Sequence, residues 1–295
     1  MNKYLIFRTD RIGDFLLSMI LIKNIKRNDK KSYIVIVSSE KNYNYIKTFS
    51  IIDEVIKLNS NFFSRVSVIN QLRRHKFKFT IIHDGKNRSK FINFFIIKDK
   101  SIYINNDDIK SSHFFKIKTI IHSLSFNFDN KDLNILQNSN FSNKKKDFII
   151  LHYDEKWSSE TYISKYKNIE PSDEQFLDFI NKIIFKTNCN LVITTGIVTP
   201  TKLKRMLLKT NNNIELIEDL NFIELQEIVS QSKLLISCHG AISHVASAYN
   251  IKQIDIIDIN LKNPYTNWTD HFRNYFPIYR KNFKNLSAEI LSLLN

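Results

Sequence analysis

Apolar positions along this chain fall into short runs that alternate with longer stretches of helical period. Tyr4–Phe7 is a four-residue apolar run that fits a buried strand, and Phe15–Ile25 repeats Phe15, Leu16, Met19, Ile20 and Ile22 at helical spacing. Tyr33–Val37 (YIVIV) is β-branched and predicts a strand. Lys41–Phe49 predicts a helix, Glu54–Leu58 a strand, Val66–His75 a helix with a basic C-terminal end, and Phe79–His83 a strand. Ser101–Ile104 and His113–Leu124 add a strand and a helix. The pattern then restarts. Strands are expected at Phe148–Leu151, Leu191–Thr194, Ile214–Ile217, Leu234–Ser237 and Ile254–Ile257. Helices are expected at Ser172–Phe185, Pro200–Leu208, Ile223–Ser230, Ile242–Tyr249 and Ser287–Leu294. Ser172 followed by Gln175, just behind Pro171, forms a capping-box signature. Strands alternating with helices imply parallel sheets joined by right-handed crossovers. The fold class is α/β, with two Rossmann-like, doubly wound domains. The polar segment Gln137–Asp147 (QNSNFSNKKKD) is the linker candidate, which divides the chain into 1–143 and 144–295; a surface loop inside one domain is the other reading.

Composition limits the function classes. The 295 residues are 43% apolar, with 23 Phe, enough for a sizeable core. Two cysteines, Cys189 and Cys238, exclude a disulfide framework and read as buried thiols in a reducing compartment. No apolar stretch is long enough to span a bilayer, and the opening MNKYLIFRTDR lacks a signal-peptide pattern, so a cytoplasmic location is expected. Lys outnumbers Arg 34 to 10, as codon bias alone would give. Codon bias does not explain the distribution of charge. Residues 1–147 hold 28 Lys+Arg and 13 Asp+Glu, whereas residues 148–295 hold 16 of each. The whole net charge of +15 thus sits in the first half, which points to an anionic partner there: nucleic acid, a membrane surface or an acidic ligand.

The chain contains only four glycines, Gly13, Gly85, Gly196 and Gly240, and each follows an apolar strand run and precedes a helix. Turns of this kind need glycine, and in open parallel sheets the strand C-termini are also where ligands bind. Two such turns in each half predict strand ends facing a shared cleft.

The most informative segment is Phe7–Ser18 (FRTDRIGDFLLS): a strand end, a basic-acidic turn, then Gly13-Asp14 opening an apolar helix. Arg8-x-x-x-x-Gly13-Asp14 resembles the N-terminal signature of the family 9 glycosyltransferases, typified by the ADP-heptose:lipopolysaccharide heptosyltransferases. A second stretch, Ser232–Tyr249 (SKLLISCHGAISHVASAY), is similar to that family's strand, Asp-Thr-Gly-x-x-His turn and Ala-rich helix. Here His244 matches the family histidine, but His239-Gly240-Ala241 stands where the family has Asp-Thr-Gly. A weaker match is His152–Trp157 (HYDEKW), where the family has a Lys near a Trp.

The resemblance implies a GT-B fold and an inverting sugar transfer, with heptose the first candidate. The donor would be a nucleotide-diphosphate sugar such as ADP-heptose, and the acceptor an anionic lipid-linked glycan of lipopolysaccharide type. It implies Asp14 as general base, since an inverting transfer needs a carboxylate at the acceptor hydroxyl. Arg8 and Arg11 would hold anionic groups of the acceptor, or else be solvated turn residues. Asp84 faces the acceptor or simply forms an Asp-Gly turn. Lys156 would neutralise the diphosphate leaving group, against the reading of one exposed lysine among many. Gly240, Ala241, Ile242 and Ser243 open a helix whose N–H groups can cradle phosphate. His244 would contact the diphosphate or pack in the helix, and His239 would reach phosphate. Thr194, Thr195 and Gly196 are a weaker nucleotide site.

The remaining histidines, at 75, 83, 113, 122, 152 and 271, lack metal-ligand spacing, and no Asp-x-Asp motif is present. No metal or cofactor is therefore expected. GxGxxG and P-loop patterns are also missing. Nucleic acid is disfavoured as the partner, because the Phe residues fall mainly in apolar runs that read as core. The inner-membrane surface, reached electrostatically, is the expected site of peripheral attachment. The alternatives are another GT-B sugar-nucleotide enzyme, such as an epimerase, or a non-catalytic basic α/β binding protein.

Overall fold

The computed structural model describes residues 1–104, 111–136, 147–157, 169–196, 199–208 and 214–294. The chain forms two compact units, Met1–Ile135 with Thr266–His271, and Leu136–Tyr265 with Phe272–Asn295. Most of the linker candidate Gln137–Asp147, and with it the expected boundary at 143/144, lies outside the described residues.

In the first unit the order is β1 (Lys3–Arg8), α1 (Ile12–Asn28), β2 (Tyr33–Ser39), α2 (Tyr43–Ile46), β3 (Glu54–Leu58), α3 (Phe62–Leu72), β4 (Phe77–Ile82), α4 (Asn87–Phe94), β5 (Lys98–Tyr103) and α5 (His113–Ser123). The five strands form one parallel sheet in the order β3-β2-β1-β4-β5. β1 is central, with Phe7 in register with Val37 on one side and Ile82 on the other. Leu5, Phe7, Val35, Val37, Ile56 and Ile82 pack with Val68, Ile69 and Leu72 of α3 and Ile92 of α4 into one core. Covering both faces explains why these strands read as nearly unbroken apolar runs.

The second unit contains β6 (Phe148–Tyr153), α6 (Asp173–Thr187), β7 (Asn190–Thr195), α7 (Thr201–Leu207), β8 (Ile214–Ile217), α8 (Phe222–Gln231), β9 (Leu234–Cys238), α9 (Ala241–Ala248), β10 (Lys252–Ile257), β11 (Tyr275–Tyr279) and α11 (Phe283–Ser292). A further helix, α10 (Lys262–Thr269), carries the chain from Tyr265 of this unit to Thr266 of the first. Six parallel strands pair in the order β11-β10-β9-β6-β7-β8. The expected capping box starts α6: Ser172 Oγ accepts from Gln175 N at 3.2 Å and Gln175 Oε1 accepts from Ser172 N at 3.0 Å. Phe176, Phe179, Ile180 and Ile183 of this helix are buried. Burying side chains of that size stabilises the unit by about 2 kcal/mol each.

The structure extends the sequence reading at several points. α3 begins at Phe62, ahead of the expected Val66, because Asn61 Oδ1 caps it by accepting from Ser64 N at 2.7 Å. α2 is a single turn rather than the longer helix expected over Lys41–Phe49. α4, α10 and β11 were not anticipated. In each sheet the chain first winds to one side and then returns to place a later strand beside the first: β4 beside β1, and β9 beside β6. Ligands of open α/β sheets bind beyond the strand C-termini at such switch points. Gly85, Gly196 and Gly240 follow strand C-termini as expected, whereas Gly13, beyond the end of β1, falls in the first turn of α1. Among the described residues no helix is long and apolar enough to cross a membrane.

Candidate active site

At the switch point of the first unit, β1 ends in Arg8, the chain turns through Thr9–Arg11, and α1 starts. Asp14 lies in the first turn of α1, where the helix dipole favours a carboxylate. Its Oδ2 accepts from Arg11 N at 3.2 Å. The carboxylate lines a pocket of about 360 Å³ together with Thr9, Asp10, Arg11, Lys41, Lys86 and Arg88, among others. Its side chain is 38% exposed.

Arg8 departs from the expectation of an acceptor contact. It is only 3% exposed and does not line the pocket. Its guanidinium works inward: Nε donates to Asp14 O at 2.8 Å and Nη1 to His83 O at 2.8 Å. Nη1 also meets Asp10 Oδ2 at 3.3 Å, and Nη2, which makes no hydrogen bond, lies 3.7 Å from Asp14 Oδ1. Arg8 thus fixes the turn and the Asp14 backbone from beneath. Arg11 is exposed and lines the pocket, so of the motif's two arginines it is the one open to that space.

Asp84, expected to face an acceptor, is buried. Its Oδ2 accepts from Thr9 Oγ1 at 2.5 Å and Ser89 Oγ at 2.7 Å, and its Oδ1 accepts from Lys86 N at 3.1 Å. These bonds tie the turn after β4 to the turn after β1, and Gly85 takes the left-handed φ of 63° that the turn requires. Lys86 pairs with Asp10, and Arg88 Nη2 donates to Thr9 O at 3.0 Å.

Two histidines without sequence signal lie close to the Arg8 guanidinium. His83, fully buried, shares a hydrogen bond of 2.9 Å with Ser18 Oγ; burial, then the Arg8 charge, holds it neutral well below its ordinary range. His113 at the start of α5 accepts from Trp268 Nε1 at 2.8 Å. Burial first, and the Arg8 charge second, bring its pKa down to about 4, with Asp14 among the charges opposing the drop.

At the switch point of the second unit, β6 ends in His152 and Tyr153, and a short turn presents Asp154, Lys156 and Trp157. Trp157 Nε1 donates to His152 O at 2.9 Å, which folds the turn back on the strand. Asp154 is buried and receives both Lys156 N at 3.1 Å and Lys156 Nζ at 2.9 Å. Burial alone would lower the Lys156 pKa, but the charge and hydrogen bond of Asp154 reverse it and leave the ammonium raised. Nζ lies over Gly240, where a Cβ would come within 2.8 Å of it. Gly240 caps α9, so a lysine cation sits at a helix N-terminus, an arrangement that attracts an anion.

The residues around this turn divide into exposed and supporting groups. Ala241 and His244 are half-buried, and His244 meets the Phe272 ring edge-on at 5.1 Å. Ser243 and His239 are buried by contrast and converge on Asp255 of β10. Ser243 Oγ donates to Asp255 Oδ1 at 2.8 Å, His239 Nδ1 lies 2.5 Å from Asp255 Oδ2, and Tyr275 OH donates to that oxygen at 3.0 Å. Asp255 was missed, although an acid inside the apolar run Ile254–Ile257 is the kind of signal that marks a buried anchor. Thr194, expected at the donor site, is fully buried and bonds His152 Nδ1 at 2.9 Å through its hydroxyl, so it supports the strand end from inside. Thr195 bonds Thr199 at 2.9 Å, and Gly196 packs against Glu155. Among the described residues no group of three or more His, Cys, Asp or Glu could hold a metal ion.

No protein-family model and no curated protein sequence matches this chain. Solved structures do. The E. coli heptosyltransferase WaaC with ADP superposes with a TM-score of 0.73 at 10% identity, over 99% of this chain and 100% of that one. A glycosyl transferase of family 9 from Veillonella parvula gives 0.68 at 11% identity, covering 98% of this chain and 89% of its own. The E. coli ADP-heptose lps heptosyltransferase II gives 0.64 at 12% identity, over 100% and 98%. With its two all-parallel α/β units, this chain has the GT-B fold that these glycosyltransferases share.

Proposed function

We propose that this protein is an inverting glycosyltransferase that uses a nucleotide-diphosphate sugar. One observation carries the reading. The two switch points hold complementary chemistry: a carboxylate on a pocket wall in one unit, and a lysine cation over a helix start in the other. In this reading Asp14 is the general base that takes the proton of the acceptor hydroxyl as its oxygen attacks the anomeric carbon. Lys156 and the N-terminal turn of α9 stabilise the charge that develops on the departing diphosphate. Arg11 and Lys41, both exposed on the Asp14 pocket, bind anionic groups of the acceptor. The excess of Lys and Arg in residues 1–147 favours an anionic acceptor. No metal is called on, since Lys156 supplies the positive charge.

The heptosyl specificity is the first to test, with ADP-heptose as donor and truncated lipopolysaccharide as acceptor. The departure at His239-Gly240-Ala241 makes a panel of ADP-, GDP- and UDP-sugars necessary. Binding is read by calorimetry on wild type, Lys156→Ala and Gly240→Ala. The wild type is expected to bind at least one nucleoside diphosphate. Lys156→Ala is expected to weaken it about tenfold or more, the loss of a charge-assisted hydrogen bond. Gly240→Ala displaces the lysine and acts in the same direction. A wild type that binds none of them, or a Lys156→Ala protein that binds equally well, refutes the donor site.

A further inference from the structure

The first unit carries an apolar surface that its own core leaves unused. α3 turns Val68, Ile69 and Leu72 inward and α4 turns Ile92 inward. The two helices pack side by side, with Arg73 Nε donating to Phe95 O at 3.0 Å. On their outer side Phe62, Phe63 and Val66 of α3 and Phe91 and Phe94 of α4 stand exposed, continued by Phe95 and Ile97 beyond α4. Phe63 is 83% exposed and Phe94 77%. Rings of this group touch one another, with Phe95 meeting Phe91 at 5.0 Å and Phe94 at 5.1 Å between centroids. A helix with a second apolar face beyond its core face has a use for it outside the fold.

The charges around these rings identify the occupant. Residues 61–100 hold ten Lys+Arg and two Asp, so this stretch carries over half of the chain's net charge of +15. Arg73, Arg74, Lys76, Lys78, Lys90 and Lys100 are all exposed. We propose that the outer face of α3 and α4 docks on an anionic lipid bilayer, with the phenylalanines entering the headgroup region and the basic side chains pairing with lipid phosphates. Stable attachment to a membrane surface takes two signals, apolar insertion and basic charge, and this face supplies both. A second copy of the chain would set two strongly basic faces against each other. The residues that lead into these helices, Leu58 and Ser60 before α3 and Lys86 and Arg88 at α4, line the Asp14 pocket. Docking would therefore hold that pocket at the lipid surface. The claim does not depend on sugar transfer, because attachment is read without turnover.

The test is co-sedimentation of the whole protein with phosphatidylcholine vesicles, with and without phosphatidylglycerol, over a salt series. The variants are Phe63→Ser/Phe94→Ser, Arg74→Glu/Lys90→Glu and, as a control, Phe185→Ser, a phenylalanine of the second unit that is 89% exposed. The wild type is expected to bind only the phosphatidylglycerol vesicles, and less as salt rises. The double Phe variant should lose about tenfold in binding with an unchanged melting temperature, the charge variant at least as much, and Phe185→Ser nothing. Equal binding to phosphatidylcholine alone overturns the proposal. So does a double Phe variant that binds like wild type, since attachment would then need no insertion. Two further outcomes reassign the face and overturn the proposal: a wild-type dimer in sedimentation velocity that the Phe substitutions dissolve, or single-stranded RNA bound in place of vesicles.

Discussion

Replacing Arg8 distinguishes a buried clamp from a ligand-contacting arginine. Arg8→Ala removes two charge-assisted hydrogen bonds to carbonyls, those of Asp14 and His83, both at 2.8 Å. Each such bond is worth about 2 kcal/mol. The contacts to Asp10 and Asp14 add less, because those side chains are 19% and 38% exposed and water screens them. The loss is therefore about 4 kcal/mol, within the range for removing one partner of a buried polar network. For a unit of this size that corresponds to a fall in Tm of about 10 °C. Arg8→Lys keeps the charge but loses the planar fork whose separate Nε and Nη1 groups are aimed at the two carbonyls, so it should recover less than half of the stability. The assay is thermal and urea unfolding, with hydrogen exchange of the Thr9–Arg11 amides, which should speed up as the turn loosens. An arginine that only contacted an acceptor would leave Tm alone and raise the KM for acceptor. If Arg8→Ala melts like the wild type, the clamp is wrong.

Three more outcomes follow from the geometry. Asp255→Asn leaves at least one of the donors from His239, Ser243 and Tyr275 without an acceptor, and should cost about 2 kcal/mol in urea unfolding and weaken nucleotide binding. Gly85→Ala forces a side chain onto φ 63° and should cost about 1 kcal/mol, measured the same way. His152 has a folded pKa of about 4, set first by burial, against 6.5 when unfolded. Between those values the unfolded chain binds the proton and the folded one does not, so stability falls as pH drops from 6.5 to 4, by about 3 kcal/mol in full. His113 acts with the same sign in the first unit. Urea unfolding across that range should show the slope, and His152→Gln should reduce it by the share of His152 while leaving that of His113.

Much of the architecture was legible because both sheets are covered on both faces. Tyr4–Phe7 and Leu234–Ser237 are apolar at nearly every position, and Gly13 and Gly240 mark the passage from these strands into the helices that follow. The elements that were missed lack those signals. α4 reads NRSKFINF, polar at its start and with Phe91 and Phe94 facing outward, so its apolar residues do not follow a core-facing period. β11 contains Pro277, which a strand tolerates at a sheet edge, and it is the edge strand. In the site, Asp14 was readable from Gly13-Asp14 at a strand–helix junction. The burial of Arg8 was not, because it depends on the carbonyl of His83, 75 residues away. The same holds for His239 and Ser243, whose anchor Asp255 lies on the neighbouring strand.

The most direct test of the account is the transfer rate of Asp14→Asn beside its affinity for nucleoside diphosphate. Asn keeps the shape of the side chain and still accepts from Arg11 N, so fold and donor binding should persist. Loss of the general base should slow sugar transfer by about 10²–10⁴-fold. An Asp14→Asn protein that transfers sugar at the wild-type rate would contradict the assignment of Asp14 as the base.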